Sequence, residues 1–209
     1  MVVVISPAAA IAAQSLFPDA EADGDAASSS TLLTCDLLRL AGQDVLAVLT
    51  APPPDEQAQA VARSLLRALR PKRVIVAGTL LPRDLRGPID EGHEPQLGSE
   101  APLFALTSGG ESLGAGSSAA FRAAPPSLLV QGLPAALLTR GTVTDLPTLG
   151  LLSVQAGQVP DAPLCAALAR GLLAALEQGK GELPAQALAR IAAACDTRYR
   201  SSAASSMFI

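Results

Sequence analysis

The sequence predicts a layered α/β fold in a single domain, and three observations predict it. From Val2 to Ala77, short apolar runs alternate with helical periodicities in the order strand, helix, hairpin, helix, strand. A chain of 209 residues supports one substantial core but not two comfortable ones. Hydrophobic residues make up 49% and charged residues 16%, which excludes a wholly disordered protein. Aromatics reach only 2%, so the core has to be built from Leu, Val and Ala between closely approaching layers.

The elements follow in order. Val2-Val3-Val4-Ile5 is a β-branched strand, and Pro7 suits a first helical position, so Ala8 to Phe17 reads as a small-residue helix packed tightly on a sheet. The acidic, then Ser-rich stretch Pro18 to Ser30 reads as a loop. Thr31 to Leu40 and Val45 to Thr50, separated by Ala41-Gly42-Gln43-Asp44, form a predicted β-hairpin. Pro52-Pro53-Pro54 stops it, and Asp55 is placed to cap the next helix, in which Ala58, Val61, Ala62, Leu65, Leu66 and Leu69 make one apolar stripe. Pro71 ends that helix. Arg73 to Ala77 is then a buried strand, with Gly78 marking a close backbone approach after it.

From Leu80 to Ser127 the pattern loosens into a Gly/Pro-punctuated loop interrupted by a strand at Leu103 to Thr107. Ser127 to Val130 reads as a short strand, Pro134 to about Thr144 as a helix, and Thr148 to Val154 as the next strand. Asp161 caps a helix through Glu177 that is apolar nearly all round and therefore buried. Gly179-Lys180-Gly181 ends it, and Pro184 starts a last amphipathic helix using Leu188, Ile191 and Cys195. Ser201 to Ser206 has no apolar period and is expected to be mobile. The predicted organisation is a domain over 1–195, containing a loose loop at 82–127, and a tail over 196–209.

Composition narrows the function classes. The net charge is −4, and Arg63, Arg67, Arg70, Lys72 and Arg73 form the densest basic run, which reads as a solvated helix face. Without a basic excess or Trp the chain does not resemble a nucleic-acid binder. Cys35, Cys165 and Cys195 have no metal-ligand spacing and lie in apolar surroundings, as reduced buried thiols of an intracellular protein do. Before Arg39 there is no basic residue, and Pro7 interrupts the first apolar run, which argues against a secretory leader. No apolar run reaches the length that spans a bilayer. The expected location is cytoplasmic, with nuclear or endoplasmic-reticulum association left open.

Catalytic candidates are few. Gly110-Glu111-Ser112-Leu113-Gly114 matches a nucleophile elbow, but that chemistry needs a later histidine base, and the one histidine, His93, precedes Ser112. An α/β-hydrolase-like or nucleosidase-like enzyme using the Gly/Ser-rich loop around Ser112 is therefore the rival reading. His93 with Glu91 and Glu94 lacks a second ligand cluster and reads as a solvated acidic loop rather than a metal site. Gly109, Gly110, Gly114 and Gly116 have neither the dinucleotide spacing nor the P-loop lysine of a phosphate cradle. Whether Cys35 lies beside His93 is not legible in the sequence. No catalytic residue, cofactor or metal is assigned.

The last residues, Met207-Phe208-Ile209, place one of only five aromatics at the penultimate position after a polar stretch. Fourteen residues follow Cys195 and extend at most roughly 45 Å. An aliphatic side chain, an aromatic ring and a terminal carboxylate form a compact anchor, worth a few kcal/mol in apolar burial and strengthened where a lysine faces the carboxylate. The competing reading is an ordinary apolar end folded onto its own domain.

Met207-Phe208-Ile209 resembles the hydrophobic–tyrosine–any tail by which proteasome activators and certain assembly chaperones dock between α-ring subunits. The stretch Val130-Gln131-Gly132-Leu133-Pro134-Ala135-Ala136-Leu137-Leu138, with Leu146-Pro147 and the apolar strand after it, is similar to a helix and strand of the proteasome assembly chaperone 1 family. The match is clear over the last third and holds as a pattern before it. The resemblance implies a three-layer α/β domain with a central mixed sheet flanked by helices. It also implies a heterodimer with a second, homologous chaperone on the outer face of the α-ring, and neither catalysis nor cofactor. Phe208 stands where the family motif prefers tyrosine. The missing hydroxyl removes a hydrogen bond of about 0.5–1.5 kcal/mol.

Overall fold

A computed structural model describes the backbone of residues 2–18, 21–22, 35–39, 45–49, 53–84, 101–111, 121–157, 159–176 and 183–206, and most side chains among them up to Thr197. The described strands are β1 (Val2–Val4), β2 (Glu21–Ala22), β3 (Cys35–Arg39), β4 (Val45–Leu49), β5 (Val74–Leu80), β6 (Leu103–Ser108), β7 (Arg122–Ala123) and β8 (Thr148–Val154). The helices are α1 (Pro7–Leu16), α2 (Asp55–Leu69), α3 (Gly132–Thr144), α4 (Ala162–Ala175) and α5 (Ala185–Ser206), with one 3₁₀ turn at Pro82–Asp84.

The strands form one mixed sheet in the order β2-β3-β4-β1-β5-β8-β6-β7. Its centre is parallel: β1 pairs with β4 and β5, and β5 with β8 from Val74↔Thr148 to Leu80↔Val154. Toward the flanks β3 against β4, the expected hairpin, and β6 against β8 are antiparallel, whereas β7 at the edge pairs parallel with β6. Parallel neighbours need crossover helices, and these cover both faces.

Alternation along the strands sorts the core into two layers. Val2, Ile75, Ala77, Leu149 and Leu151 face α1, α4 and α5, whereas Val3, Val74 and Val76 face α2 and α3. On the first side, Ala8 to Ala13 are all buried, because α1 lies against the sheet and contacts α4 and α5. Small side chains permit that approach. At Gly171 of α4 an added Cβ would overlap the Leu103 side chain, so helix and sheet meet there with no room to spare. The fold is the three-layer α/β domain with a central mixed sheet that the resemblance implies.

Local chemistry accounts for several boundaries. Ser6 Oγ accepts from Ala9 N at 3.2 Å with Pro7 opening α1, and Asp161 Oδ1 accepts from Leu164 N at 2.9 Å at the start of α4. Elsewhere the expectations need correction. Pro54, not Asp55, is the residue before α2, and Asp55 is its first residue without a capping hydrogen bond. Ser127–Val130 is no strand: Leu128 N donates to Pro125 O in a turn, leaving a single bridge at Leu128.

Gly78 lies within β5, and a Cβ there would meet Leu152 and Pro134 at 3.4 and 4.0 Å, an ordinary contact. In α5 the buried stripe is Ala187, Ile191 and Cys195, while Leu188 is 44% exposed. The polar stretch Ser201–Ser206 continues α5 as helix. No apolar period announces it, and its four serines are indifferent helix formers.

Candidate functional site

Met207, Phe208 and Ile209 lie outside the described residues. What the structure describes is the helix that precedes them in the chain. Helix α5 packs on α1 and α4 through Ala187, Ile191 and Cys195, and Arg190 Nη1 donates to Ser15 O at 3.3 Å, next to the end of α1. Cys165 and Cys195 are buried, unbridged thiols with sulfurs 3.7 Å apart across the α4–α5 contact, in keeping with the structural role expected of them. The side chain of Cys35 lies outside the described ones. Beyond Cys195 the helix runs eleven more residues to Ser206, a rise of roughly 16 Å.

The rival catalytic loop is described only at its beginning. Ser112, Gly114, Gly116, Glu91, His93 and Glu94 lie outside the described residues. Glu111 is held by Arg73, whose Nε and Nη2 donate to its two carboxylate oxygens at 3.0 and 2.7 Å while Nη1 donates to Ala175 O at 2.8 Å. This clamp joins the start of β5, the turn after β6 and the last residue of α4. Gly109 and Gly110 have φ of 61° and 77°, the left-handed region that favours glycine. An added Cβ at Gly109 would run into the carbonyls of Leu146 and Gly141, so that side of the turn faces acceptors rather than the N–H groups a phosphate needs.

A cleft of about 570 Å³ opens at the carboxyl ends of β1 and β5, where α/β folds bind ligands when the chain reverses its winding direction. It is lined by Ser6, Gly78 to Leu81, Arg83, Asp84 and the start of α3. Two of its polar side chains make folding contacts. Ser6 caps α1, and Asp84 Oδ2 accepts from Leu81 N at 2.9 Å. Asp55 Oδ1 lies 2.9 Å from where a Cβ on Gly132 would stand, so the N-terminal ends of α2 and α3 approach closely there. Sequence reasoning missed this cleft because it assembles from four separate segments. Among the described residues no group of three His, Cys, Asp or Glu side chains is placed to hold a metal ion, and no helix is long and apolar enough to cross a membrane.

No family model and no curated protein sequence matches the chain. Solved structures do. PbaB of Pyrococcus furiosus, an archaeal proteasome activator, superposes with a TM-score of 0.64 at 14% identity, covering 96% of this chain and 92% of PbaB. The chain shares the PbaB fold. PbaA of the same organism, an archaeal homologue of a proteasome-assembly chaperone, has a TM-score of 0.64 at 14% identity over 99% of this chain and 88% of its own. A proteasome-assembly chaperone homologue of Mycobacterium tuberculosis reaches 0.56 at 16% identity over 97% and 94%. Like PbaB, these match nearly end to end, so the likeness takes in the whole layered architecture. At such identity it establishes the fold alone.

Proposed function

We propose that this chain is a non-enzymatic chaperone of proteasome core-particle assembly. In this reading it belongs beside proteasome assembly chaperone 1, pairs with a second, homologous chaperone, and docks on the α-ring through Met207, Phe208 and Ile209. The observation that carries the reading is the end-to-end fold likeness to proteins described as a proteasome activator and as proteasome-assembly chaperone homologues. The sequence adds a C-terminal tripeptide of the docking type. Ser6 and Asp84 of the carboxyl-edge cleft, and Glu111, engage in folding contacts, which suits a scaffold better than a catalyst.

The described helix changes the form of the tail. Helix α5, described to Ser206, rises roughly 16 Å beyond Cys195, against the roughly 45 Å that a fully extended tail would span. A stiff stalk restricts the geometries in which tail and domain engage one α-ring, and so loses less entropy on docking. We place this activity in the cytoplasm.

The test is co-purification of a tagged full-length chain, its C-terminus native, against one lacking residues 207–209. The reading predicts α-ring subunits and a second chaperone with the full chain, and loss of the α-ring subunits with the truncated one. Recovery of α-ring subunits by both chains would remove the tail from the mechanism; recovery by neither would remove the proteasome. The enzyme reading is checked separately by a serine-hydrolase probe on the wild type and Ser112→Ala. Labelling that depends on Ser112 would restore it.

A further inference from the structure

A second feature lies at the opposite edge of the sheet, where α2 and α3 end. Arg63, Arg67 and Arg70 from α2 and Arg140 from α3 converge on a groove of about 460 Å³ whose floor is Leu66, Pro71 and Leu146. Sequence shows only the run on α2, which reads as a solvated face. The fold adds Arg140 from a helix seventy residues away and turns a stripe into a walled groove. None of the four arginines has an ion pair among the described residues, in contrast to Arg73 with Glu111.

One detail separates this groove from an ordinary basic surface: its charged walls stand over apolar side chains. Arg70 ends α2 at φ 44° just as Asp145 ends α3 at φ 51°, the usual left-handed end of a helix. Val143, three residues beyond Arg140 on α3, is 70% exposed, the most exposed large apolar residue among those described. Arginines at helix C-termini do favour the helix dipoles, but four of them facing one apolar floor in a chain of net charge −4 exceed that need.

We propose that this groove docks an acidic peptide segment of a partner protein, one that carries an apolar side chain between its carboxylates. The carboxylates pair with the guanidinium forks, which match them in a bidentate geometry. The apolar side chain rests on Leu66, Pro71 and Leu146. Charge complementarity sets the class of partner, and the apolar floor distinguishes it from a plain polyanion.

The experiment is fluorescence polarisation with the full-length protein and a labelled pentapeptide of four glutamates around a central leucine. Saturable binding is expected, weakened roughly tenfold or more by the pair Arg67→Glu and Arg140→Glu and several-fold by 0.5 M salt. Arg63→Gln, a milder change, is expected to weaken it about threefold. Replacing the central leucine by serine is expected to cost about fivefold or more. Circular dichroism and Tm of the variants establish that the fold is kept. Absence of binding, or binding indifferent to the double charge reversal, overturns the proposal. So does equal binding of the serine peptide, or of a thymidine oligonucleotide of the same charge that competes for the groove. The chain lacking residues 207–209 is expected to bind the peptide as the full chain does, which keeps this result separate from that of the tail.

Discussion

Arg73 shows how much one side chain contributes when three segments meet on it. Its guanidinium holds Glu111 through two hydrogen bonds and the end of α4 through a third. The arginine side chain is partly exposed, so screening reduces the pair's value. Glu111→Gln is expected to cost about 1 kcal/mol, read as a lowered urea midpoint at unchanged slope. Gly109→Ala is expected to cost more, about 2 kcal/mol or above, because a Cβ there meets the Leu146 carbonyl and the backbone lies in the left-handed region. The same denaturation curve checks it. Residues whose role is local were legible in the sequence, as Pro7 and Asp161 show by opening and capping their helices as read. Glu111 was not, since its partner is 38 positions away.

Among elements, α5 separates periodicity from propensity. The amphipathic stripe was legible in outline, and its register was not: Leu188 and Ala187 are neighbours in sequence, and only the packing on α1 and α4 chooses between them. Ile191→Ala is expected to destabilise by about 2–5 kcal/mol, because Ile191 is 1% exposed. Leu188→Ala is expected to stay within about 0.5 kcal/mol. Comparable effects at the two positions, measured by chemical denaturation, would contradict the register. Past Cys195 the helix carries no apolar signature. Backbone chemical shifts of residues 198–206 are expected to be helical, and Ala203→Pro to abolish that signal over the last turns.

At the scale of the molecule, the parallel centre and two helical layers follow from buried strands alternating with helices, which is why the fold class was readable. The flanking strands β2 and β7 are two residues long and carry no pattern of their own; pairing with neighbours defines them. The two-layer core explains the composition, since alanine-rich α1 can lie between sheet and helices only with small side chains. Neither the carboxyl-edge cleft nor the arginine groove exists until the sheet assembles, so neither was visible as a site. The tail is the opposite case: its chemistry is wholly in the sequence, and the fold adds only that α5 runs to Ser206 before it.

As proposed, this domain presents Met207-Phe208-Ile209 to an α-ring pocket. The decisive measurement is the affinity of the full chain, and of the chain ending at Ser206, for immobilised proteasome α-rings from the same organism. Measurable binding by the full chain is expected, at least about tenfold weaker once the three residues are gone, with the Tm of the two chains equal. Equal affinity of the two chains, or no affinity in either, would contradict it.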